Sequence, residues 1–164
     1  MKVLSFDPGE VTTGYAILEM LNAKTDMMFV KTGKLNGSIK QNNFAKDLKR
    51  LLAVHLPDYV AFEQTGAFLS KIYNNIVHIS CIEYGIPVLG CTVQDVREFL
   101  FDDRHMSKAE SNMLLKSFLE RTIFNLKSDI SNHELDAVGI AFYTIQLQVR
   151  TNHLQGNQNL LLEE

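Results

Sequence analysis

Asp7 ends a short apolar run, Lys2-Val3-Leu4-Ser5-Phe6, and a Pro8-Gly9 turn follows it at once. A carboxylate at such a point is held rigidly at the edge of a sheet. Glu63 ends the run Tyr59-Val60-Ala61-Phe62 in the same manner. A third acid, Asp136, lies in Ser131-Asn132-His133-Glu134-Leu135-Asp136-Ala137, where His133 and Asp136 stand three apart and share one face of a helix. Three carboxylates and an imidazole make an oxygen-rich donor set. Hard divalent cations such as Mg²⁺ or Mn²⁺ prefer carboxylate and water to thiol.

These residues need elements to hold them. Strand-forming residues resume after the first turn at Thr12-Thr13-Gly14-Tyr15-Ala16-Ile17-Leu18, which predicts a hairpin over about 2–7 and 12–19. A third strand is expected over about 27–34, with Lys34-Leu35-Asn36-Gly37-Ser38 as its exit turn. Phe44, Leu48, Leu51 and Leu52 then repeat at helical spacing and lead to the Glu63 strand. A helix between two strands predicts a parallel addition to the sheet. Further elements are a helix from about Phe68 to Tyr84, a strand from Pro87 to Cys91 and a short helix from about Val93. Ser107-x-x-Glu110 and Ser131-x-x-Glu134 match the capping box and mark the last two helix starts. Glu134 is thereby assigned to capping, on the other face from His133 and Asp136. Gly14 reads as structural, needed where the second strand passes close to substrate or to Asp7, or relieving strand twist.

Asp7-Pro8-Gly9 with Thr13-Gly14-Tyr15, then Glu63-Gln64, then His133-x-x-Asp136-Ala137, resembles the RuvC family of Holliday junction resolvases, within the RNase H-like superfamily. The resemblance spans nearly the whole chain, and the small size and divergent spacers look most like a bacteriophage-encoded member. It implies an α/β RNase H-like fold: a five-stranded mixed sheet, three antiparallel then two parallel strands, flanked by helices on both faces. It implies one nuclease domain over 1–164, with a tail at 152–164 that frays or packs onto a dimer. It further implies that Asp7, Glu63 and Asp136 bind two Mg²⁺ ions, for which Mn²⁺ substitutes. His133 falls where relatives carry Asp or His, and it either binds a metal or positions the attacking water. Lys108 matches a family lysine near the scissile phosphate.

The same resemblance implies a homodimer acting on four-way and other branched DNA, since two strands of like polarity must be cut and two-fold symmetry pairs the cuts. The helix bearing Ile72, Ile76, Val77, Ile79 and Ile82 is the expected interface, with core packing as the plain alternative. Phe68 falls where relatives place an aromatic that stacks on an opened base, with Leu69 and Tyr73 in contention. Lys71, Arg104 and Lys108 are the expected phosphate contacts.

Composition bounds this reading. The 164 residues suffice for one domain with a real core. A net charge of −3 runs against phosphate binding, although several acids belong to the proposed metal site, where cations invert the local sign. Basic residues gather at Lys40, Lys46, Lys49 and Arg50, and again at Arg97, Arg104 and Lys108; a solvated helix face is the plain reading of each group. Cys81 and Cys91 lack metal-type spacing and read as buried free thiols of a reducing compartment. Without a long apolar run or a basic leader, neither membrane span nor signal peptide is expected, which suggests the cytoplasm, of a bacterial host if the chain is phage-encoded.

Other classes compete. Asp-Pro-Gly followed by Thr-Thr-Gly is similar to the first phosphate-binding hairpin of actin-like and sugar-kinase ATPases. Those need two such domains, and no second Asp-x-Gly hairpin appears here. An RNase H acting on RNA/DNA hybrids and a noncatalytic branched-DNA scaffold are the alternatives within the fold.

Overall fold

A computed structural model describes residues 1–9, 11–22, 27–36, 43–64, 68–122 and 129–160. The chain runs β1 (Lys2–Asp7), β2 (Thr12–Asn22), β3 (Met27–Asn36), α1 (Asn43–His55), β4 (Tyr59–Glu63), α2 (Phe68–Ile82), β5 (Val88–Cys91), α3 (Val93–Phe101), α4 (Lys108–Thr122) and α5 (Asn132–Leu160). The strands form one sheet in the order β3-β2-β1-β4-β5. β1, β2 and β3 pair antiparallel, whereas β4 and β5 join parallel through helical crossovers. This is the five-stranded mixed sheet of an RNase H-like fold. Two strands outlast their expected ends: β2 reaches Asn22 and β3 runs through Lys34 to Asn36. The exit turn foreseen from Lys34 is still paired as far as Asn36, opposite Thr12. α2 stops at Ile82, before Tyr84, and Gly85 takes a positive φ of 65° in the turn that follows.

β1 lies at the centre and is buried on both faces, as a strand covered on both sides is. Leu4 and Phe6 point to one side, where they pack with Val60, Phe62, Phe44, Leu48, Leu52, Tyr73 and Val77 beneath α1 and α2. Val3 joins Ala16, Leu18, Ala61, Leu135, Val138 and Ile145 beneath α5 on the other. Leu51, expected as core, is only half-buried at the rim of the α1 layer. Cys81 and Cys91 are buried free thiols, and burial pushes them up to about 11 and about 12 respectively. No helix among the described residues is long and apolar enough to cross a membrane.

The alternation of side chains along each strand decides what faces α5. Ser5 is on that face, and its Oγ donates to the Ala137 carbonyl at 2.6 Å, tying α5 to the central strand. Asp7, two residues on, projects to the same side. Gly14 pairs with Asp7 across β1 and β2. A Cβ at Gly14 would collide with the His133 carbonyl carbon and oxygen and stand 2.7 Å from the Glu134 nitrogen. Glycine is therefore required for α5 to approach the sheet, a reason different from the approach to substrate or Asp7 and the relief of twist expected from sequence. Gly14→Ala is expected to destabilise by about 1–3 kcal/mol through overpacking against backbone that cannot yield. A shift in the denaturant midpoint at unchanged slope measures this.

Candidate active site

Asp7 and Glu63 end neighbouring parallel strands. The β1–β4 register pairs Phe6 with Phe62, so the next residues, Asp7 and Glu63, stand side by side on the α5 face. Asp7 is 3% exposed. The first turns of α5 cross above them and bring His133 and Asp136. Ser131 caps that helix: its Oγ accepts from the Glu134 amide at 3.5 Å, while Glu134 Oε2 accepts from the Ser131 amide at 3.2 Å and from its hydroxyl at 2.6 Å. Glu134 is buried and also pairs with Lys34 at 3.9 Å. It is the capping residue expected, turned away from the acids.

Pairings tie the site together. His133 Nδ1 lies 2.5 Å from Asp7 Oδ2, and Lys108 Nζ lies 2.8 Å from Asp136 Oδ2. Lys108 starts α4, whose first turn is capped by Ser107 Oγ accepting from the Glu110 amide at 3.3 Å. The Asp7 and Glu63 side chains hydrogen-bond to each other. Thus Asp7, Glu63, Lys108, His133 and Asp136 converge from four elements. The turn between β1 and β2 is braced from beneath: the Tyr73 hydroxyl donates to the Gly9 carbonyl and accepts from Thr13 Oγ1, both at 3.4 Å. Tyr73 is 2% exposed and stacked edge-on against Phe44, which removes it from contention as a base-stacking residue.

Electrostatics explain the pairings. Burial raises Asp7, and the Asp136 charge adds to this, while its hydrogen bond with Glu63 and the Lys108 charge oppose it. Burial pushes Glu63 up to about 8, helped by the hydrogen bond to Asp7 and by the charges of Asp7 and Asp136, against Lys108. The two carboxyls share a proton because neighbouring carboxylates in a desolvated site cannot both ionise. Lys108 is itself raised: burial works to lower it, but the hydrogen bond to Asp136 and the charges of Asp136, Asp7 and Glu63 prevail.

Among the described residues, no three His, Cys, Asp or Glu side chains are drawn into one metal-binding group. The acids are balanced instead by a shared proton, an imidazole and an ammonium. The donor set nevertheless fits a hard cation, because three oxygen acids converge with one lysine to offset them and the strain appears as the raised Glu63. Asp7, Glu63 and Asp136, with His133 beside them, are the residues able to hold one.

Other expected residues disperse. Arg104 is exposed and pairs with Glu98 at 3.8 Å, whereas Arg97 turns inward with a buried Nε that lacks a partner among the described residues. With Lys108 committed to Asp136, these three bases do not form one face. Lys71 is exposed on α2. The Phe68 and Leu69 side chains lie outside the described residues. In α2, Val77 is core while Ile79 and Ile82 are 62% and 76% exposed, so the foreseen face is split between core and surface. Sequence reading missed the cap of α3, where Thr92 and Asp95 form a complete capping box with Asp in the place of Glu. It also missed the Tyr73 brace, whose partners stand about 60 residues away, beyond any local pattern.

The raised Glu63 sets a pH response. Between about 4.5, the ordinary value, and about 8, the folded state holds a proton that the unfolded chain has lost, so its stabilising contribution falls as pH rises through this window. In chelator, Glu63→Gln should therefore gain stability relative to wild type as pH rises, and thermal unfolding across the window measures the divergence.

No family model matches the chain. It is similar to the crossover junction endodeoxyribonuclease RuvC of Geobacter sulfurreducens, 24% identical over 156 residues that cover 86% of this chain and 90% of the relative. Among solved structures, Thermus thermophilus RuvC superposes with a TM-score of 0.73 at 19% identity, covering 87% of this chain and 92% of that one. The same protein in complex with Holliday junction substrate gives 0.71 at 18% identity, with the same coverage. The fowlpox virus Holliday junction resolvase gives 0.60 at 17%, covering 92% and 99%. The strand order and the superposition along most of both chains show that this chain shares the fold of these resolvases.

Proposed function

We propose that this protein is a metal-dependent endonuclease that resolves Holliday junctions and related branched DNA by paired, symmetric nicks. The observation that carries this reading is the convergence of Asp7, Glu63 and Asp136, whose burial, with their mutual repulsion added, holds a proton on the Asp7–Glu63 pair. The names of the similar proteins support the substrate, since they are crossover junction endodeoxyribonucleases and one is solved with a Holliday junction.

Asp7, Glu63 and Asp136 would hold two Mg²⁺ ions, or Mn²⁺ in their place, with His133 as a further ligand or as the group that orients water. When bound, such ions activate water and stabilise the departing oxygen of a phosphodiester. Hydrolysis joins the oxygen of water to phosphorus and breaks the bond to the 3′ oxygen, leaving a 5′ phosphate and a 3′ hydroxyl. The chain's own part is positional and electrostatic. His133 fixes the orientation of Asp7, and the strand end beneath it fixes the carboxyl in space. Asp7 and Glu63 would give up their shared proton on holding the cations. Lys108 is 56% exposed in its side chain and can turn from Asp136 to a DNA phosphate.

Paired nicks need two such sites. A homodimer supplies them, and Ile79 and Ile82, exposed on α2, offer apolar surface for it. Phe68 is assigned to base stacking at the crossover, and Lys71 and Arg104 to phosphate contacts. The whole chain acts as one nuclease domain.

Cleavage of an end-labelled immobile four-way junction with Mg²⁺, beside duplex, flap and RNA/DNA hybrid, tests this. Symmetric nicks on the junction are expected, lost on chelation. Asp7→Asn should lower cutting by about 10²–10³-fold or more while leaving junction binding nearly intact, because charge is removed and shape kept. His133→Asp should remain active if His133 is a ligand. Cutting of the hybrid alone would redirect the reading to an RNase H, and binding without cutting to a scaffold.

A further inference from the structure

A groove of about 390 Å³ lies on the sheet face opposite the acids, between the edge strand β3 and helix α1. Lys31 and Lys34 border it from β3, Tyr15 from β2, and Asp47, Arg50 and His55 from α1. With Lys34 paired to Glu134, Lys31 and Arg50 against Asp47 are still a local excess in a chain whose net charge is −3. Lys31 and Arg50 are exposed, and among the described residues neither has an ion pair. Burial, then Lys31 and Lys2, hold the His55 imidazole below its usual range, so positive potential reaches the groove wall. A lysine on an edge strand also blocks edge-to-edge pairing, which accounts for Lys31 by itself. It does not account for Arg50, which faces the same groove from a helix.

Position gives the groove a relation to the acids. Asp7, Gly14 and Lys34 pair in one row across β1, β2 and β3. Two strand spacings put Lys34 about 10 Å from Asp7, and Lys31 lies three residues back along β3 on the other face of the sheet, so the groove opens around the β3 edge from the acids.

We propose that the Lys31–Arg50 groove is a second DNA-binding site, which grips the phosphate backbone of a junction arm as the arm passes the β3 edge. This rests on the nuclease reading for its geometry. Contacts of this type position the arm and carry no base sequence. Asp47 sets an upper limit on the grip by offsetting part of the charge.

The test is equilibrium binding of the full chain to a labelled four-way junction, and to linear duplex, in chelator over about 50–200 mM salt. Lys31→Ala/Arg50→Ala should lower the slope of log K against log salt by about 1.8, from about 0.9 per phosphate contact. It should weaken both DNAs alike, and leave the Mg²⁺-dependent cutting rate at saturating junction unchanged. Asp47→Asn should tighten binding several-fold, so the proposal does not hang on a loss alone. Wild-type slope and affinity in the double variant, with junction cutting intact, would overturn the groove and leave the nuclease standing. A wild-type protein that cuts no junction, but whose DNA binding still falls in the double variant, would retain the groove as a DNA site and sink the nuclease reading.

Discussion

Burial of mutually repelling carboxyls at the end of two adjacent parallel strands is the constraint on which the rest of this structure turns. Asp7 and Glu63 cannot separate, because the β1–β4 ladder sets their distance, and α5 lies across them, burying Asp7 and half-burying Glu63. Their charge must be met locally. The molecule meets it with a proton on the Asp7–Glu63 pair, the His133 imidazole on Asp7 and the Lys108 ammonium on Asp136. Each partner arrives on an element that must be docked for the purpose. The fold is thus coupled to the site, since loosening α4 or α5 would leave acid unpaired in a desolvated pocket.

The docking devices are small and specific. Gly14 removes the one side chain that would hold α5 off the sheet, and the Ser5 hydroxyl pins the helix to β1 through Ala137. The Ser131–Glu134 capping box starts α5 at the point that presents His133 and Asp136 toward the strands. Tyr73 braces the Pro8-Gly9 turn from the opposite layer. These contacts add little stability each, on the order of 1 kcal/mol for a typical hydrogen bond. Their consequence is positional, because a site that works through converging charge tolerates little displacement.

Charge is distributed in a way that reconciles an acidic chain with an anionic partner. Acids converge on the α5 face, where cations would invert the sign, whereas Lys31 and Arg50 face outward along a groove on the opposite face. Net charge averages over these regions. The local field is what a phosphate backbone meets.

The sequence by itself determined the strands and helices, their order and the acids, because strand-ending carboxylates, helical periodicity and capping boxes are local signals carried by neighbouring residues. Asp7, Glu63, Asp136 and His133 stood out by position, Lys108 only by its resemblance to a family lysine, and Glu134 by its capping box. Only the tertiary structure decided which groups meet. The Asp7–Glu63 hydrogen bond follows from parallel register, the Gly14 requirement from helix docking, and the Tyr73 brace from packing between layers. It also decided that Arg97 lines a pocket with Glu63 and Asp136 while Arg104 pairs with Glu98 at the surface, and that Lys31 and Arg50, 19 positions apart, face one groove. Such contacts join residues distant in the chain, and their energies depend on burial and dielectric that no local pattern encodes.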